Sequence, residues 1–381
     1  MKKIVVAVDS FKGCLSSGEI GKAAENGIKA VFPSCEVVQI PVADGGEGVL
    51  DVLMPVVNGR YASVRAHNPL MKPMTARYGI SSDGRTGLIE MAAVSGLPLV
   101  PVAQRNPMLT TSFGTGELIR DALEKDCRDF VVGIGGSATN DAGLGMLQAL
   151  GFRFLDGNGS ELGVGGKIMR DVAGIDASHA HPALKDSRFT IACDVRNPFC
   201  GEDGAAYVYA RQKGADDGMI RALDDGLSSL AKVILNATGK DIANVPGSGA
   251  AGGLGGGFLA FLNAVLKPGI ALLLDYLEFD RRIEGADLII TGEGRVDRQS
   301  VMGKAPWGVL QAARKQGVPV VVIAGGLEDV AEINRAGFQG VFSITPGPVP
   351  LEKAMEPGFA GENIRQTVMQ ICRVINCLPI S

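Results

Sequence analysis

Residues 129–150, DFVVGIGGSATNDAGLGMLQAL, read as strand, glycine loop and helix. Residues 130–134 form a short, uncharged, β-branched run, the pattern of a buried parallel strand. Gly135 and Gly136 let the backbone turn without a Cβ penalty. Ser137, Thr139, Asn140 and Asp141 follow, all suited to capping a helix that spans residues 142–150. Such a turn aims free N–H groups and a helix N-terminus at one spot, a geometry that binds phosphate or carboxylate. The glycine pattern alone fits an ordinary tight βα turn equally well.

The surrounding composition is that of an α/β protein. The 381 residues include 53 glycines, only 5% are aromatic, and 46% are hydrophobic. Many buried parallel strands joined by glycine turns give this balance. The net charge is −4 and no long Lys/Arg cluster is present, which argues against nucleic-acid binding. Seven dispersed cysteines without a CxxC pair suit a reducing compartment. Residues 1–9 hold too short an apolar run for a signal peptide, and nothing approaches the roughly 18 apolar residues of a membrane span. A cytoplasmic protein, monomer or homodimer, is expected.

Two strand–helix units open the chain. Residues 3–8 form a strand ending in Asp9-Ser10-Phe11-Lys12-Gly13, followed by a helix from Ser16 or Ser17 to about Val31. Residues 36–42 form a strand ending in Ala43-Asp44-Gly45-Gly46-Glu47-Gly48. Residues 59–91 change character to three β-segments with Asn68-Pro69 and Asp83-Gly84 turns, an antiparallel meander. Residues 189–195 make a short buried strand, and residues 247–257, GSGAAGGLGGG, precede a helix expected over 258–266. That run is either low-complexity sequence or a close backbone approach. Three further units follow, with strands at 286–291, 318–324 and 340–344. The outer five strands predict a flavodoxin-like doubly wound parallel sheet of order 2-1-3-4-5, residues 1–58 plus 286–381. A large inserted α/β domain, residues 59–285, would split it, with the active site in the cleft between them.

Six loops rich in Asp, Asn, Ser, Lys and Gly, but poor in His and Cys, suggest phosphate chemistry with Mg²⁺. Lys12 reads as a phosphate-neutralising cation or as a solvated lysine. Asp194 ends a hydrophobic strand, where partial burial would suit a general base; the other reading is a turn-forming acid before Asn197-Pro198. Asp44 and Glu47 are read equally as Mg²⁺ ligands or helix caps. Glu293 and Asp297 flank Arg295, as metal ligands around a phosphate-binding arginine or as a salt-bridged turn. No GxxxxGK[ST] run, Rossmann fingerprint or GxSxG elbow occurs.

Taken together, these loops resemble the signature loops of the bacterial glycerate kinase type I family. They are the stretches at 9–13, 43–48, Gly133-Ile134-Gly135-Gly136-Ser137-Ala138-Thr139-Asn140-Asp141, Asp194-Val195-Arg196-Asn197-Pro198, 249–255 and 291–300. The resemblance runs in order over essentially the whole chain. It implies two α/β domains and ATP- and Mg²⁺-dependent phosphorylation of D-glycerate, to 2-phosphoglycerate in similar bacterial members. Two positions depart from the family pattern. Tyr209-Ala210-Arg211 replaces a Gly-Pro before Gln212-Lys213-Gly214, and Phe199 stands where Leu is usual.

The chemistry then assigns Asp194 and Lys12 to catalysis. Ser10, Asp44, Gly45, Gly46, Arg295 and Asn197 go to the substrate, and Asp297 and Glu293 to the metal. Gly135, Gly136, Ser137, Ala138, Thr139, Asn140, Gly252 and Gly253 would hold nucleotide phosphate, with the glycerate carboxylate as the second choice for that loop. A kinase of a related hydroxy acid and a non-catalytic sugar-acid binding protein are the alternatives.

Overall fold

The computed structural model describes residues 1–43, 49–301 and 303–377. The chain packs as two units, Met1–Gly48 with Ile270–Ser381, and Val49–Gly269. In chain order the strands are β1 Lys3–Val8, β2 Glu36–Gln39, β3 Arg60–His67, β4 Pro73–Ile80, β5 Thr86–Glu90, β6 Asp129–Gly133, β7 Arg153–Leu155, β8 Gly174–Asp176, β9 Arg188–Ala192, β10 Ala264–Lys267, β11 Leu288–Val296, β12 Val320–Leu327 and β13 Gly340–Ser343. Among the described residues no helix is long and apolar enough to cross a membrane.

The first unit is built on a parallel sheet of order β13-β12-β11-β1-β2. Counted within this unit, that is the 2-1-3-4-5 order expected from the sequence. The interior strand β1 is buried along residues 4–8, because helices cover both faces of a doubly wound sheet. The edge strands β2 and β13 are four residues each and less buried, which limits their exposed backbone. The helix Ser17–Lys29 starts on a capping box: Ser16 Oγ accepts the Glu19 N–H at 3.3 Å and the Glu19 carboxylate accepts the Ser16 N–H at 2.8 Å. It packs on the C-terminal helix Pro357–Asn376 at backbone distance. A Cβ on Gly27 would lie 2.5 Å from the Arg365 carbonyl oxygen. Ile4, Val6, Ile20, Ile28, Ile364 and Val368 form the core between helices and sheet.

One strand is longer than expected. β11 continues to Val296, past the end placed at residue 291, because Glu293, Arg295 and Val296 stay in register with Ala324, Gly326 and Leu327 of β12. Glu293 and Arg295 are therefore strand residues, not loop residues.

The second unit holds a six-stranded sheet of order β10-β9-β6-β5-β4-β3, plus the β7–β8 ribbon. β3, β4 and β5 form the expected antiparallel meander, and β5, β6, β9 and β10 run parallel. The helix Val49–Val56 packs on β4 and β5. The helix expected over 258–266 instead begins after the left-handed residues 251–253 and ends at Phe261, and Ala264–Lys267 form strand β10 against β9. The Asn263 carbonyl accepts the Phe189 N–H at 2.9 Å and sets that pairing. Beneath the sheet, Phe130 stacks on Phe189 with ring centroids 4.6 Å apart.

The capping box predicts that Ser16→Ala lowers the stability of the first unit by about 1 kcal/mol, read as a shift in its urea unfolding midpoint. An unshifted midpoint would show that the cap contributes nothing.

Candidate active site

The first unit gathers polar side chains at the carboxyl ends of its strands. Val8 pairs with Gly292, and the next residues, Asp9 and Glu293, end up on neighbouring strands, 4% and 7% exposed. The Asp9 N–H extends the ladder to the Gly292 carbonyl at 2.9 Å. Gly292 is required here, since a Cβ would lie 2.0 Å from the Ile323 carbonyl oxygen. The following turn is closed by Phe11 and Leu15, whose N–H and C=O groups exchange bonds of 2.9 and 3.0 Å. Both side chains are buried, which leaves Lys12 exposed at the tip. Lys304 Nζ lies 3.5 Å from Glu293 Oε2. Arg295 is exposed and ion-pairs with Glu328.

Ser10, Lys12, Glu293, Arg295 and Lys304 all line one cavity of about 690 Å³. It opens where the winding reverses between β1 and β11, the ligand position of doubly wound sheets. Asp9 lines it too. Sequence reasoning passed over Asp9, although its position after a buried strand was a usable signal. Asp297 lies beyond the end of β11, where its N–H donates to Ser300 Oγ at 3.1 Å. Asp44, Gly45, Gly46 and Glu47 fall outside the described residues.

The second unit carries the glycine loop. Gly135 and Gly136 form its accessible rim, with Gly136 at φ 69°. Its inner side is pinned: the Gly136 carbonyl accepts the Leu97 N–H at 2.8 Å and the Ala138 N–H donates to Ser95 at 2.9 Å. The open helix N-terminus expected from the sequence is not found. Ala142 and Gly143 are left-handed, so the helix is only Leu144–Ala149. Its first donors are already satisfied: Gly145 N–H reaches Asp141 Oδ2 at 3.3 Å and Met146 N–H reaches Ser112 Oγ at 3.0 Å. Asp141, fully buried, also accepts the Ser112 N–H at 2.7 Å and the Gly143 N–H at 3.2 Å. The helix dipole is thus used internally, and anion contact is left to the rim.

The glycine-rich segment makes a close backbone approach. Ala251, Gly252 and Gly253 are consecutively left-handed. Gly252 lies against the loop, where a Cβ would sit 2.1 Å from the Thr139 carbonyl oxygen, and its own carbonyl accepts the Ala142 N–H at 3.0 Å.

Lys213 is the residue that sequence reasoning missed. It is 2% exposed, and its ammonium donates to Ser137 Oγ at 2.7 Å and to the Thr139 carbonyl at 2.6 Å. Burial drives its pKa down to about 7, partly opposed by the Asp141 carboxylate. The sequence reading gave it no role beyond its place in Gln212-Lys213-Gly214. Beside it, Thr139 Oγ1 and both ends of the Asn140 amide are buried without a hydrogen-bond partner among the described residues. Leaving such groups unmet is costly, which sets them apart from the other buried polar groups of the loop.

Asp194 is exposed, against the expected partial burial, because β9 ends at Ala192 and leaves it beyond the ladder. Its Oδ1 accepts the Gly269 N–H at 2.8 Å. Asn197 ties the scaffold together: its side-chain amide donates to the Asp203 carbonyl at 2.8 Å, and its backbone carbonyl accepts the Gly247 and Gly249 N–H groups at 3.2 and 3.1 Å.

A strand-end pocket of lysines and carboxylates in one unit, with a glycine loop in the other, is the equipment of a small-molecule phosphotransferase. Comparison with known proteins gives the particular family. The Glycerate kinase family matches residues 4–376. A glycerate kinase of Bacillus subtilis is 46% identical over 98% of this chain and 97% of its own. A glycerate 2-kinase of Escherichia coli is 45% identical over 96% and 98%. A crystal structure from Salmonella typhimurium LT2, provisionally assigned as a glycerate kinase 2, superposes with a TM-score of 0.88 at 42% identity, covering 98% of each chain. The chain belongs to the glycerate kinase family, enzymes that transfer a phosphoryl group to an alcohol of glycerate.

Lys213 yields a pH prediction. Its folded pKa of about 7 lies below its ordinary 10.5, so between those values the unfolded chain binds a proton that the folded chain does not. Stability from this group therefore rises as pH increases from about 7 to 10.5 and is flat below about 7. Relative to Lys213→Met, the wild-type melting temperature should climb across that window. A constant difference would mean that Lys213 is not a titrating buried cation.

Proposed function

We propose that the enzyme transfers the γ-phosphoryl group of ATP to the 2-hydroxyl of D-glycerate, giving 2-phosphoglycerate and ADP, with Mg²⁺ assisting, in the cytoplasm. The observation that carries this reading is the single cavity joining Ser10, Lys12, Glu293, Arg295 and Lys304 at the ends of β1 and β11. Phosphoryl transfer asks the protein mainly for positioning and for neutralisation of charge on the moving group. Lys12 and Lys304 supply that charge. The name of the Escherichia coli relative, a glycerate 2-kinase, supports the 2-hydroxyl as acceptor.

The donor set fits Mg²⁺. Asp9 and Glu293 present hard carboxylate oxygens side by side on adjacent strand ends, where Mg²⁺ takes one or two carboxylates and completes its shell with water and phosphate. Asp9 with Glu293 is the better-placed pair, and Asp297 lies further along the chain. When bound, the ion would neutralise charge on the polyphosphate. Asp194 is proposed to take the hydroxyl proton; its exposure keeps the carboxylate reachable by a bound alcohol. The loop at 135–140, with its unmet Thr139 and Asn140 groups, is proposed as a second locus for an anion.

A coupled ADP-release assay tests the reaction. D-glycerate should stimulate ADP formation in the presence of Mg²⁺, and ³¹P NMR of the product should show the 2-phospho acid. No glycerate-dependent ADP would sink the reading, and a 3-phospho product would overturn the regiochemistry. Asp194→Asn should lower kcat by about 10²-fold or more if the carboxylate acts as the base. Near-normal turnover would leave Asp194 with only its bond to Gly269.

A further inference from the structure

We propose that the strand-end cavity of the first unit is a nucleotide site, its cationic side chains taking the polyphosphate and its apolar side chains taking the base. This deepens the kinase reading and rests on it. The cavity lining mixes two chemistries. Lys12, Arg295 and Lys304 line it together with Leu351, Met355 and Phe359. Glycerate is a three-carbon anion with no apolar face, so it would leave those apolar side chains uncovered. A nucleoside triphosphate carries both chemistries in one molecule. Its charged tail suits Arg and Lys, and its flat base suits aliphatic and aromatic side chains. The volume of about 690 Å³ also suits a nucleotide better than a small acid.

The apolar lining is partly open to solvent, and the Lys353 ammonium lies 5.2 Å from the centroid of the Phe359 ring. Leu351 is 73% exposed and Met355 37% exposed, large hydrophobic side chains facing solvent beside a cavity. The short helix Leu351–Ala354 leads to Met355, whose terminal methyl lies 3.2 Å from where a Cβ on Gly13 would sit. Gly13 has φ 74°, so a side chain there would be strained as well as crowded. Met355 thus abuts the turn that carries Lys12, so apolar and cationic lining residues adjoin there. Asn363, one helical turn beyond Phe359, also lines the cavity and offers an amide donor and acceptor for the edge of a base. The reading moves Arg295 from the glycerate carboxylate to the polyphosphate, and leaves the loop at 135–140 for the glycerate carboxylate.

The test is substrate-resolved kinetics and calorimetry on the full-length protein. Two variants are used: Phe359→Ser, and Leu351→Glu at a solvent-facing position that does not endanger folding. Each should raise KM for ATP by about tenfold or more while KM for D-glycerate stays within about twofold, and each should weaken ATP binding measured calorimetrically without glycerate by a similar factor. A rise in KM for glycerate with KM for ATP unchanged would overturn the proposal and give the cavity to the acid. Unaltered ATP binding in both variants would also overturn it. If the wild type binds ATP, loses that binding in the variants, and yet forms no ADP with glycerate, the nucleotide site stands and the glycerate reading falls.

Discussion

The parallel register of β1 against β11, Val8 opposite Gly292, is the constraint on which the first unit depends. It joins residues 284 apart in the chain and brings Asp9 and Glu293 to adjacent strand ends. A slip by one residue would turn one of the two carboxylates to the other face of the sheet. The register tolerates no side chain at Gly292, whose position the Ile323 carbonyl would occupy. From that pairing follow the cavity, the approach of Lys304 to Glu293 and the placing of Lys12 at the tip of a turn closed by Phe11 and Leu15.

The second unit is organised around buried charge. Asp141 collects backbone and hydroxyl donors from two segments, and Lys213 supplies the opposing cation beneath the same loop. A buried carboxylate and ammonium are tolerable only when hydrogen-bonded, and both are. The result is a loop fixed from behind, with its glycine rim accessible and its Thr139 hydroxyl and Asn140 amide unmet among the described residues. The consecutive left-handed residues 251–253 exist to let one backbone rest on another at this point.

The sheet order was legible because β1, β11 and β12 are continuous apolar runs, and only one pairing of the outer strands avoids two small sheets with open edges. The meander was legible from its alternation and its turns. The end of β11 was not, since Thr-Gly-Glu-Gly-Arg has the composition of a turn; only pairing with β12 makes it a strand. The strand Ala264–Lys267 was hidden by the apolar helix just before it. Ser10, Lys12, Glu293 and Arg295, which line one cavity, stood out in the sequence because polar residues follow buried strands. Lys213 was not, because its partners lie 74 and 76 residues away and local sequence carries no trace of them. The capping of the short helix by Asp141 was invisible for the same reason, as Ser112 comes from elsewhere in the chain.

The central claim is that the paired strand ends of β1 and β11 carry the phosphoryl chemistry, and Glu293→Gln tests it most directly. The substitution keeps the shape and removes one of two adjacent carboxylates. With the unfolding midpoint preserved, the account predicts that kcat for glycerate-dependent ADP formation falls by about 10²-fold or more. A folded Glu293→Gln enzyme turning over at close to the wild-type rate would contradict it.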